Sequence, residues 1–249
     1  MIESYTRRRV IFAAPYQVIL EQAQGALPAP DELLVTTTLS AISAGTELLF
    51  YRGQVPSGMS ADASIAALAN GHSVSYPLAY GYQTVGTVTA VGATVDRAWL
   101  GRRVFAFQPH TSHFCAKPAD VIPIPAGLTM EQAVLLPNME TAVNFVQDGA
   151  PLLGERVVVL GQGVVGLLAA HLLTQFPLAQ LTAVDRLPLR RERAHAMGVA
   201  EVIAAPVADT SAVDLVFELT GNPDALNDAI ALAGYNGRVL IGSWYGQKR

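Results

Sequence analysis

Apolar positions along this chain follow two patterns. Up to about residue 125 they come as short runs with strand-like composition, at 10–14, 33–39, 84–91 and 103–107, separated by turn-rich stretches such as 53–58. This predicts a small β domain. At Thr129 the pattern changes: Thr129 and Gln132 form a capping-box pair, and the residues up to 146 are rich in helix formers apart from Pro137. A bridging helix, broken at Pro137, is expected. From Gly154 onward, β-rich apolar runs at 156–160, 181–184, 201–204, 215–219 and 238–242 alternate with helical stretches at 164–175, 188–197 and 225–232. Such alternation predicts a parallel, doubly wound sheet. The expected class is α/β, with a β domain over 1–128, a bridging segment over 129–153 and a nucleotide-binding domain over 154–249.

The strongest local signal lies between the first strand and first helix of that last domain, where Gly161, Gln162, Gly163, Val164, Val165 and Gly166 spell GxGxxG. The first glycine permits a tight turn, the second lets backbone approach a pyrophosphate, and the third lets helix and strand pack closely. The helix N-terminus then offers unpaired N–H groups to phosphate. Asp185 ends the second predicted strand, at about the spacing where a carboxylate accepts hydrogen bonds from an adenosine ribose. That favours NAD. Arg186, with Arg190 and Arg191 close behind, keeps NADP open, because guanidinium groups there can hold a 2′-phosphate. Thr220 and Gly221 follow a later strand and fall at the carboxyl edge of the sheet, where they are candidates to line the cofactor groove.

Composition narrows the partners. With 51% apolar and 14% charged residues the chain can bury a sizeable core, and a net charge of −4 supplies no basic footprint for nucleic acid or anionic membrane. A small-molecule substrate is the expectation. Cys115 is the only cysteine, which fits a reducing compartment and a cytoplasmic location. The most apolar window, 157–173, is shorter than the roughly 20 residues a membrane span needs.

Taken together, ISAGTELLFYRG (42–53), YPLAYGYQTVGTVTAVG (76–92), LGRRVFAF (100–107), PADVIPIPAGLTMEQAVLLP (118–137) and the glycine fingerprint resemble the medium-chain dehydrogenase/reductase superfamily. The resemblance implies a GroES-like β domain followed by a Rossmann sheet, a nicotinamide cofactor and a possible homodimer. It also exposes departures. Zinc-dependent members carry a cysteine just before GT, a histidine in GHE and a third acid or cysteine near the bridging helix. Here those places hold Ser43 or Ala44, the run Gly81-Tyr82-Gln83, and Asn138-Met139-Glu140. Such a set lacks the thiolate, imidazole and carboxylate ligands of a catalytic zinc site, and no four-cysteine lobe separates Phe107 from Pro118. A zinc-lacking branch that includes proteins similar to bacteriochlorophyllide hydroxyethyl dehydrogenases shares ISAGTE and GY(E/Q). The chain stops after its fifth Rossmann strand, so the resemblance implies a C-terminally truncated member.

Without a metal, proton handling falls to Tyr82, whose phenol can donate to a developing oxyanion, with Thr46 and Ser43 as relays. The leading expectation is an NAD(P)-dependent oxidoreductase for an alcohol/carbonyl pair. An NADPH-dependent quinone or enoyl reductase and a non-catalytic dinucleotide-binding protein are the alternatives. His110, His113 and Cys115 form HxxHxC, but both histidines are expected on an exposed edge strand without an acidic partner, so no metal is assigned there. His72, Tyr76 and Tyr80 fall in a long loop that is a candidate lining for a substrate pocket.

Overall fold

The computed structural model describes residues 4–55, 75–206 and 213–245. The chain divides into two compact units, Met1–Leu136 and Pro137–Arg249.

In the first unit β1 (Thr6–Ala14) and β2 (Gln17–Gln24) form an antiparallel hairpin. A separate antiparallel sheet holds β3 (Leu33–Ser40), β4 (Thr84–Val91), β5 (Arg103–Ala106), β6 (His113–Ala116) and β7 (Ile122–Pro123), in the order β6-β3-β4-β5-β7. Alternation decides which side is dry: Leu33 and Val35, Val104 and Ala106, and Phe114 and Ala116 are spaced two apart, so each pair faces the same way and together they build one core. Helix α1 (Glu47–Arg52) leaves β3 after a short turn and ends at Gly53, whose φ of 67° closes it. Tyr80 is buried with its ring stacked on Phe50 at 3.9 Å, so it belongs to the core and not to the lining of an open pocket. The hydroxyl of the half-buried Tyr76 donates to the Phe50 carbonyl, and His72 lies outside the described residues.

Thr129 caps α2 (Met130–Ala133) in a complete capping box, with Thr129 Oγ1 accepting from the Gln132 N–H and the Gln132 side chain accepting in return. The bridging helix is two helices. Its second part, α3 (Leu136–Gly149), carries Pro137 in the first turn, where a missing N–H costs nothing, so the break falls ahead of the proline and not at it.

The second unit continues with β8 (Arg156–Leu160), α4 (Val164–Leu173), β9 (Gln180–Val184), α5 (Pro188–Ala196), β10 (Glu201–Ile203), β11 (Val213–Glu218), α6 (Asp224–Leu232) and β12 (Ala233–Ile241). All neighbours are parallel, in the order β10-β9-β8-β11-β12. Both faces are covered. Val157, Val159, Leu215 and Phe217 pack under Ala170, Leu173 and Ala194, while Val158, Leu160 and Val216 pack on the other side against Ala229 and Leu232. That explains why these strands read as unbroken apolar runs. Strand β12 starts five residues before the expected 238, and a register shift between Val213 and Leu215 of its partner absorbs the Gly-Tyr-Asn-Gly stretch. Arg238 on β12 grips both oxygens of Glu155 at 2.8 and 2.9 Å, which holds the Glu155 carboxyl below its usual range. Among the described residues no helix is long and apolar enough to cross a membrane.

Candidate functional site

The parallel sheet reverses its winding between β8 and β11, which leaves a crevice beyond their carboxyl ends. Leu160 feeds directly into the glycine turn there. Gly161 adopts φ +90°, and a Cβ on it would lie 2.8 Å from the Leu219 carbonyl; a Cβ on Gly166 would lie 1.9 Å from the Gly161 oxygen. Neither site tolerates a side chain. Gly163 differs, because a Cβ there meets nothing within 4 Å, and it N-caps α4 with no side-chain cap bond. The open side of Gly163 and the unpaired first-turn amides of α4 fit a diphosphate.

Asp185 closes the turn from β9. Its buried carboxylate accepts the Gln162 N–H on Oδ2 and the Leu187 N–H on Oδ1, both at 2.8 Å, and Arg190 reaches Oδ2 at 3.3 Å. Gly161, Asp185, Arg186, Arg190, Thr220 and Gly221 line one cavity of about 530 Å³. Residues 162–166 are not part of its lining; they sit at the start of α4, and the Gln162 side chain turns inward to donate to the Val159 carbonyl. Arg191 serves the scaffold, donating to the carbonyls of Asp185 and Arg186.

Glu218 escaped the sequence reading. It is fully buried at the end of β11, where one oxygen accepts from the amide and hydroxyl of Thr220 and the other from the Tyr245 hydroxyl. Ser243 Oγ in turn accepts the Gly221 N–H at 2.8 Å, so the Thr220–Gly221 turn is tied down from two sides. Burial, reinforced by the Glu218 carboxylate, pushes the Tyr245 phenol up to about 12. A phenol whose folded value exceeds its unfolded value of about 10 contributes stability below pH 10 and loses it as pH rises toward 12. Thermal unfolding followed across that window should therefore fall more steeply for the parent than for Tyr245→Phe; identical slopes would contradict the assignment.

The first unit gathers a second polar cluster. The Tyr82 hydroxyl donates to Ser43 Oγ at 2.6 Å, and the Ser43 N–H donates to Glu47 Oε1 at 2.8 Å. Glu47 Oε2 lies 2.8 Å from His110 Nε2, and His110 Nδ1 lies 2.7 Å from Ser40 Oγ. Thr46, the other expected relay, caps α1 without a side-chain bond and stands outside this chain of contacts. The carboxamide of Gln83 is buried with neither end paired.

The expectation for the HxxHxC histidines needs correcting. His110 is 8% exposed and has an acidic partner in Glu47. His113 does sit on the edge strand β6, half-buried against Tyr5. Burial, then Glu32, pushes the Cys115 thiol up, away from the thiolate a metal would need. Among the described residues no group of three or more His, Cys, Asp or Glu converges as a metal set. The pairing of Glu47 with His110 bridges 63 positions, and no local pattern announces it.

Residues 29–142 match the family of alcohol dehydrogenase GroES-like domains. The chain is 28% identical over 262 residues to a Mycobacterium tuberculosis protein named "Probable zinc-binding alcohol dehydrogenase", an alignment covering 88% of this chain and 63% of that protein. It thus spans less than two thirds of that relative's length. It is 27% identical over 263 residues to the 2-desacetyl-2-hydroxyethyl bacteriochlorophyllide A dehydrogenase of Cereibacter sphaeroides, covering 95% of this chain and 73% of the other. Among solved structures, a Sinorhizobium meliloti 1021 protein described as a zinc-binding dehydrogenase, with NADP bound, superposes with a TM-score of 0.78 at 18% identity, over 98% of this chain and 79% of its own.

Proposed function

We propose that the chain is a member of the medium-chain dehydrogenase/reductase superfamily, and from that premise that it is a zinc-independent, NAD(P)-dependent oxidoreductase acting on an alcohol/carbonyl pair. One observation carries the reading: the Asp185 carboxylate is bonded to the second residue of the glycine turn and lines a cavity at the carboxyl edge of the sheet. A bound nicotinamide dinucleotide would supply the hydride chemistry. The residues of this chain supply the rest. Amides at Gly163, Val164, Val165 and Gly166 face the diphosphate, Asp185 the adenosine ribose, and Thr220 and Gly221 the adjoining wall. NAD is the favoured form because Asp185 is acidic at the ribose position. The observation favouring NADP is Arg190, which already reaches that carboxylate and can turn to a 2′-phosphate, with Arg186 exposed beside it.

Tyr82 is proposed as the proton donor to the substrate oxygen, with Ser43 as its hydrogen-bonded relay and Thr46 as a further one. Zinc independence is supported by the resemblance, which sets Ser43 or Ala44 and Tyr82 at two of the places where zinc-dependent members carry ligands; none of these is a thiolate, imidazole or carboxylate. Metal analysis of the purified chain should find zinc well below stoichiometric.

The experiment is a thermal-shift series with NAD, NADH, NADP and NADPH, followed by alcohol and carbonyl panels read at the nicotinamide absorbance band. Ligand at 100 times its Kd adds about 2.7 kcal/mol to native stability, so a raised midpoint with NADH above NADPH is expected. On any substrate turned over, Tyr82→Phe should lower kcat about a hundredfold. Full turnover by that variant would dismiss the donor role.

A further inference from the structure

His110 and Glu47 take no part in the roles assigned above, yet both are buried and both touch the segments that carry Tyr82 and Ser43. We propose that Glu47 and His110 are positioning residues for Tyr82, bracketing its hydrogen bond to Ser43 from the acceptor side and the donor side at once.

On the acceptor side, Glu47 is 3% exposed, and a carboxylate that deep persists only if its oxygens are bonded. Oε1 takes the Ser43 N–H, while the Glu47 N–H donates back to the Ser43 carbonyl at 2.8 Å. The turn from 43 to 47 is clamped in both directions, which fixes Ser43 Oγ, the atom that accepts the Tyr82 hydrogen bond. Oε2 is held by His110.

On the donor side, the His110 amide donates to the Tyr80 carbonyl at 3.3 Å. Its ring lies against Gly81, the residue before Tyr82: a Cβ at Gly81 would be 2.9 Å from His110 Cδ2 and Nε2, and Gly81 holds φ +125°. Only glycine lets the ring sit that close to the backbone carrying the phenol. One imidazole therefore sets both partners of the Tyr82–Ser43 bond. The ring is held at both nitrogens, with Nε2 2.8 Å from Glu47 Oε2 and Nδ1 2.7 Å from Ser40 Oγ.

This rests on the reading of Tyr82 as proton donor, and the test separates the two. The full chain is labelled with ¹⁵N-histidine and with tyrosine bearing ¹³C at the phenol carbon, and the Tyr82 line is assigned from Tyr82→Phe. In Ser43→Ala that line should move to a free-phenol position. Glu47→Ala and His110→Ala should move it the same way. Glu47→Gln, which keeps an acceptor for the Ser43 amide, should restore it, and Glu155→Ala, a destabilising change in the other unit, should leave it in place. On any substrate found by the panels, Glu47→Ala should lower kcat about tenfold with KM within about twofold. A Tyr82 line unmoved in folded Glu47→Ala and His110→Ala proteins overturns the proposal. If those two variants fail to fold, the parent still decides: a His110 ring with no hydrogen bond to Glu47 in its ¹⁵N spectrum overturns the arrangement, and one bonded to Glu47 is required. Absence of turnover across all panels would remove the oxidoreductase reading and leave the spectroscopic result standing.

Discussion

Gly166→Val should abolish nucleotide binding and cost roughly 3 kcal/mol of stability, because its Cβ would be driven to 1.9 Å from the Gly161 carbonyl oxygen. That oxygen is backbone, and its strand is buried on both faces, so neither side can yield without pushing α4 off the sheet. Gly163→Ala separates packing from ligand approach. Its Cβ meets no protein atom within 4 Å, so the fold should lose no more than about 1 kcal/mol while NADH affinity falls at least about tenfold. Paired denaturation curves and NADH fluorescence titrations read both numbers. If the two glycine variants behaved alike, the turn would be a packing device only.

Asp185→Ala is the second large effect. It leaves the amides of Gln162 and Leu187 without their acceptor and releases Arg190, a loss of about 2 kcal/mol for donors in a buried setting. Affinity for NADH should drop about tenfold or more, as the ribose loses its acceptor as well. NADPH should suffer less, since the freed Arg190 can serve a 2′-phosphate. Arg190→Ala should do the reverse, weakening NADPH and sparing NADH. An equal loss for both nucleotides in both variants would mean that neither side chain reads the ribose.

The parallel sheet and its glycine turn were legible because their signals are local. Strands buried on both faces carry continuous apolar runs, as 156–160 and 215–219 do, and the turn's glycines sit next to one another in sequence. Thr129 and Gln132 were readable as a cap for the same reason, being three positions apart. Where the reading failed, a distant partner or a backbone irregularity had taken over. The last strand was expected from 238, yet a shifted register lets β12 run back through the Gly-Tyr-Asn-Gly stretch. His110 was expected on an exposed edge strand but precedes β6, and its partner Glu47, brought in by α1, has no local signature. Glu218 looked like one more strand residue; its partners Thr220, Ser243 and Tyr245 come together only once β11 and β12 pair. Tyr82 and Ser43 were singled out for their chemistry and by the resemblance, and their direct bond emerged from the fold.

The most direct measurement follows backbone amides by ¹⁵N NMR as NADH is added to the full chain. The account predicts saturable shifts concentrated at Gly161 to Gly166, Asp185 and the Thr220–Gly221 turn. Saturation with those amides unmoved, or no saturation at millimolar nucleotide, would contradict it.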